Sequence, residues 1–112
     1  MPPPEDAASL RDIRQAAMRV AEALQNVNSG TLDPEFWMVI AAVERQLTIV
    51  GEAVKRLTFQ FRDAHPEIDW RRWAGLRDIV IHAYDVVDVP QLWEIARDDI
   101  AELLEFLEGL ES

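Results

Sequence analysis

From Phe36 to Phe61 the chain sets an apolar residue at every third or fourth position: Phe36, Ile40, Val43, Leu47, Val50, Val54, Leu57 and Phe61. That step lines one face of an α-helix, whereas the faces of a strand alternate every two residues. Sustained over about four heptads, such a stripe belongs in the seam of a helical bundle. Asp33 is placed to cap the helix, and Pro34 takes the first helical position, where its missing N–H does no harm. The helix is expected to end only at Ala64-His65-Pro66, because proline disfavours helical geometry in the residue before it. Gly51 interrupts the stripe at a cost of about 1 kcal/mol relative to alanine. Its expected use is close approach by another helix or by a dimer partner.

The remainder of the chain is helical by the same criterion. Leu10, Ile13, Ala17, Val20, Leu24 and Val27 line a first helix, with Ser9 and Asp12 as a weak capping box and Asn28-Ser29-Gly30 as a stop. Residues 1–9 read as a flexible, proline-rich leader, and residues 10–112 as one helical domain. Asp69 can cap a third helix from Trp70 to about Tyr84. Asp88 and Pro90 open the last, with Trp93, Ala96, Ile100, Leu103, Leu107 and Leu110 as its stripe. No strand is evident, so the expected class is all-α, an antiparallel bundle of four to five helices.

Composition narrows the chemistry. Cysteine is absent, which removes disulfides and thiolate catalysis and fits a cytoplasmic location. No long apolar run or signal pattern is present, so membrane insertion is not expected. The formal charge is −10, yet residues 55–77 carry Lys55, Arg56, Arg62, Arg71, Arg72 and Arg77 against Asp63, Glu67 and Asp69. A segment of +3 on an acidic molecule can attract a phosphate ligand locally. It can equally pair with acidic surface. Arg71 and Arg72 are the RNA-binding candidates, and the flanking Trp70 and Trp73 read as packing residues before they read as a stacking platform for bases.

The segment Arg77 to Tyr84, RDIVIHAY, holds the chain's densest chemistry. Arginine is a permanent cation suited to phosphate, and histidine can move a proton near neutral pH. Five residues along an ideal helix separate Arg77 from His82 by about 140°, so the two do not share a face. Either the helix loosens before His82 or the working site is assembled from two chains. Asp78 and His82, four apart, do share a face, and Asp78 can fix the imidazole tautomer. An arginine on a solvated face and a histidine at a helix end is the plainer account of the same residues. Metal chemistry has little support: His65 and His82 show no ligand spacing, and Glu102, Glu105, Glu108 and Glu111 read as a solvated helix face.

Four blocks in series, IVGEAVKRL (49–57), HPEIDW (65–70), GLRDIVIHAYDVVD (75–88) and LWEIARDD (92–99), resemble the HepT-like proteins, the DUF86 branch of the HEPN superfamily. The resemblance runs from about Asp33 to the C terminus. It implies a helical bundle that forms a homodimer with the two motifs facing one another, which would bring Arg77 and His82 together across chains. It implies a metal-independent ribonuclease that needs no cofactor, the toxin of a HepT/MntA-type (type VII) toxin–antitoxin pair. The partner implied is a minimal nucleotidyltransferase, MntA-like, which silences the toxin by transferring AMP to the motif tyrosine. Carried onto this sequence, the motif arginine is Arg77, the polar residue after it Asp78, the histidine His82 and the tyrosine Tyr84. Two other functions stay open: a non-catalytic binding partner of a nucleotidyltransferase, and a purely structural helical dimer.

Overall fold

The computed structural model describes residues 4–25, 27, 37–76, 78 and 89–111. Among them every regular element is helical. Helix α1 spans Pro4–Leu24, α2 Trp37–Lys55, α3 Phe59–Ala64 and α4 Trp70–Ala74. Helix α5, Val89–Glu94, passes through a π-helical turn at Ile95–Asp99 into α6, Ile100–Glu111. Helix α1 packs along α2 and, elsewhere, against the π turn and α6, while α4 lies against α2. No helix among the described residues is long and apolar enough to cross a membrane.

The expected stripes form the core. Leu10, Ile13, Ala17 and Val20 of α1 face Val43, Leu47, Val50 and Val54 of α2, all buried. Ala96, Ile100, Leu103 and Leu107 supply the last helix's share. Asn28-Ser29-Gly30, Asp33, Pro34, Phe36 and Asp88 lie outside the described residues, as does the expected helix beyond Asp78 as far as Tyr84.

The helix expected from Trp70 to about Tyr84 is interrupted early, because α4 ends at Ala74 with Gly75 as its cap. Three further features differ from expectation. Helix α1 starts at Pro4, so residues 4–9 belong to the fold and not to a flexible leader, and Ser9 sits buried inside the helix without acting as a cap. The reason is Asp6, which is fully buried. Its carboxylate accepts the Thr58 N–H and the Thr58 hydroxyl, each at 2.8 Å. With Asp12 paired to Arg56 at 3.1 Å, the beginning of α1 meets the end of α2, so the two helices run antiparallel.

The same threonine divides the long second helix. Thr58 is extended, at φ −66° and ψ 151°, and its Oγ1 accepts the Phe61 N–H at 3.1 Å, which caps a separate α3. Leu57 and Phe61 stay buried across the break, so the apolar step survives although the helix does not. The helix does end at Ala64, as Pro66 requires.

The third departure is the π turn, in which the Ile100 N–H reaches back to the Ile95 carbonyl. Ile95, Ala96 and Ile100 are all buried across this widened turn. Gly51 performs the expected service to a neighbouring helix. A Cβ built on it would lie 2.9 Å from the Trp73 carbonyl oxygen and 3.6 Å from Leu76 Cβ.

Two outcomes follow from these contacts. Gly51→Ala is expected to lower the melting temperature even though alanine is the better helix former. Overpacking against backbone costs about 1–3 kcal/mol, which outweighs a propensity gain of about 1 kcal/mol. Asp6→Ala is expected to destabilise the chain by about 1–3 kcal/mol in urea denaturation, since it removes both bonds to the half-buried Thr58 donors.

Candidate active site

Helix α4 leads directly into the motif, and its start is set by short-range chemistry. Asp69 caps it, accepting the Arg72 N–H on Oδ1 at 3.1 Å. The Trp70 indole donates to the His65 carbonyl at 2.9 Å. Its ring packs with Phe61 and Phe106 at centroid distances of 5.9 and 5.6 Å. His65 joins the same cluster, 4.6 Å from Phe61 and 5.2 Å from Phe106, with Nδ1 3.3 Å from Glu67. One histidine is thus part of the aromatic packing that ties α3 and α4 to α6. Trp70 and Trp73 are both buried, so the packing reading of that pair holds and a base-stacking platform does not.

At the other end Gly75 donates its N–H to the Arg71 and Arg72 carbonyls at 3.1 and 3.2 Å. Leu76 then turns inward, 1 % exposed, beside Gly51. Asp78 is exposed, its N–H bonded to the Gly75 carbonyl at 3.1 Å. Of the four motif residues only Asp78 is described; Arg77, His82 and Tyr84 lie outside the described residues.

The basic segment is less free than its composition suggests. Arg56 pairs with Asp12, Lys55 stands 3.9 Å from Glu52, and Arg62 donates to the Leu57 carbonyl while lying 4.7 Å over the Phe59 ring. Arg72 pairs with Asp99 at 2.9 Å. Asp12, Glu52 and Asp99 all come from outside residues 55–77, so counting charge along the segment overstates its local field. Arg71 is exposed and makes no ion pair among the described residues. Of the two RNA-binding candidates, Arg72 is engaged by Asp99 and Arg71 by no carboxylate among the described residues.

Asp99 carries no sequence signal of its own, because the π turn that presents it to Arg72 is not written in any local motif. Burial pushes its carboxyl above the ordinary carboxylate range. Arg72 pulls the other way, and Glu102, Glu94 and Asp98 add to the rise. A separate groove of about 510 Å³ lies between α1 and α6, lined in part by Arg14, Met18, Leu104 and Leu107, and no residue of α4 reaches it.

The chain matches the family model described as ribonuclease HepT-like over residues 13–110. It is 32% identical over 101 residues to "Putative RNase MJ1380" of Methanocaldococcus jannaschii, which covers 85% of this chain and 93% of that protein. It is 50% identical over 62 residues to "Probable ribonuclease HepT" of Thermococcus cleftensis, and that match spans 55% of this chain and 56% of the relative. No solved structure matches the chain. A family model that takes in nearly every described helix, with a relative aligned along almost its whole length, places this chain in the ribonuclease HepT-like family.

Proposed function

We propose that this chain is a metal-independent endoribonuclease, the toxin of a pair whose antitoxin is an MntA-like nucleotidyltransferase. The observation that carries it is the family match over residues 13–110; the resemblance noted in the sequence assigns the motif's roles to Arg77, Asp78, His82 and Tyr84, which fall within that span. In the reaction a ribose 2′-oxygen attacks the adjacent phosphorus and the bond to the 5′-oxygen breaks. His82 serves as general acid or base for one of the two proton transfers. Arg77 stabilises the charge that develops on the phosphoryl oxygens. Asp78 orients the imidazole, and Arg71 and Arg72 are the candidates for holding the RNA backbone. The products are a 2′,3′-cyclic phosphate and a 5′-hydroxyl, and DNA, which lacks the 2′-OH, is not cut.

A homodimer that brings the two motifs together would bridge the 140° separation within one chain. Tyr84 is the modification site in this account: AMP there adds bulk and negative charge beside the groups that meet RNA phosphate. Action in the cytoplasm fits a chain without cysteine. The charge of −10 favours one rival, a non-catalytic module that docks a basic partner.

Incubation of the unmodified protein with total RNA in EDTA, beside His82→Ala and Arg77→Ala, separates the two. Cleavage with cyclic-phosphate ends is expected from the wild type, with a loss of about 10²-fold or more in Arg77→Ala. Equal cleavage by wild type and His82→Ala would overturn the mechanism, and no cleavage by either favours the binding module. With a cognate nucleotidyltransferase and ATP, AMP addition is expected on the wild type and absent from Tyr84→Phe, read by intact mass. The chain has a single tyrosine, so a mass gain that persists in that variant refutes tyrosine modification.

A further inference from the structure

The corner between α2 and α3 displays an aromatic ring that the core does not use. Phe59 is 76% exposed, the most exposed of the large hydrophobic side chains among the described residues. The guanidinium of Arg62 lies over its ring, 4.7 Å from the centroid. That guanidinium is itself tied down, since Nη2 donates to the Leu57 carbonyl at 3.2 Å. One face of the ring is thus covered by a held cation, and the side chain otherwise stands in solvent.

The backbone beneath the ring is fixed as firmly. Phe59 opens α3 directly after Thr58, whose N–H and hydroxyl are both held by the buried Asp6 carboxylate. The Phe61 and Arg62 N–H groups bond back to Thr58, on Oγ1 and on the carbonyl, each at 3.1 Å. A ring on a fixed turn loses little freedom when a ligand covers it.

Its surroundings fit one flat ligand better than a protein surface, whose binding centre groups several apolar anchors. Its neighbours Leu57 and Phe61 are buried. The other exposed large hydrophobics lie elsewhere: Trp37 and Met38 open α2, about 27 Å of helix from Lys55 at its end, and Met18 is about 18 Å along α1 from Asp6. Lys55 and Arg56, three and four residues before Phe59, each have about half of the side chain exposed. They meet Glu52 and Asp12 in exposed pairs, which are weak enough to exchange for phosphate. Asp63 is exposed on α3 as well, so charge around the ring is near balance.

Resting on the ribonuclease assignment for the identity of its ligand, we propose that Phe59, backed by Arg62, is a stacking platform for one base of single-stranded RNA. An aromatic face accepts any base, so the platform holds the strand without reading its sequence. Duplex RNA keeps its bases stacked inside and gains nothing from the ring. With local charge near balance, the ring acts through stacking and not through counterion release.

The test measures binding of a fluorescent 2′-O-methyl RNA of about twelve nucleotides, which has no free 2′-hydroxyl and is not cut. Anisotropy in EDTA compares the full-length wild type, Phe59→Ala, Phe59→Leu and Phe59→Trp, with a duplex of the same sequence as control. The dissociation constant for the single strand is expected to rise about 5- to 150-fold in Phe59→Ala and Phe59→Leu, by the same factor at low and high salt. Phe59→Trp binds at least as tightly as the wild type, the duplex is bound alike by all four, and melting temperatures stay at the wild-type value. Equal single-strand binding by wild type and Phe59→Ala overturns the platform, as does no binding by the wild type. Wild-type affinity in Phe59→Leu makes the ring a plain apolar contact, and a loss confined to low salt makes the effect one of charge; either overturns stacking. Self-association lost in Phe59→Ala, with RNA binding unchanged, makes the ring a protein contact instead. Cleavage of the matching ordinary RNA is followed alongside. Wild-type cleavage with unchanged binding in Phe59→Ala leaves the ribonuclease assignment standing and removes the platform. Phe59-dependent binding without cleavage by the wild type does the reverse.

Discussion

The close approach of α4 to α2 is the constraint on which the placement of α4 depends. It exists because position 51 has no side chain: a single methyl there would meet the Trp73 carbonyl at 2.9 Å. A helix interior is an unfavourable place for glycine, and no local turn or cap calls for it. The compensation is tertiary. With α4 seated on bare backbone, Trp70 reaches the ring cluster of Phe61, His65 and Phe106, and Leu76 fills the space beside the glycine. Asp69, Arg72 and Asp99 then act on a helix that is already placed.

Much of this was legible in the residues, and the failures have a common cause. Apolar spacing identified the buried faces of α1, α2 and the last helix because burial depends on periodicity, which the sequence carries directly. Proline 66 and Asp69 marked boundaries through strictly local chemistry, and both boundaries stand. Thr58 and Asp6 were different. A threonine in a long apolar stripe is unremarkable until a carboxylate 52 positions away bonds to it. The π turn is equally silent, since ordinary and widened turns can be built from the same apolar step. Of the site, the way α4 is anchored was not readable from residue order.

Charge shows the limit of one-dimensional bookkeeping most clearly. A stretch that sums to +3 along the chain is met in space by Asp12, Glu52 and Asp99 from other segments. Exposed pairs of this kind contribute little to stability, but among the described residues they distinguish engaged cations from the others. The distinction between Arg71 and Arg72, adjacent and chemically identical, arises only there. On an acidic molecule with few cations to spare, that selection shapes where an anionic ligand can settle.

The bonds between Asp6 and Thr58 also impose an order on assembly. Asp6 precedes Thr58 by 52 positions, so its carboxylate lacks this partner until synthesis has passed Thr58. Closing so wide a loop is entropically uphill until α1 and α2 have begun to pack. A nascent or truncated chain that stops short of position 58 therefore holds a charged group where the finished fold has a sealed one. The amino end of α1 is thus sealed only after the chain that follows α2 has been made.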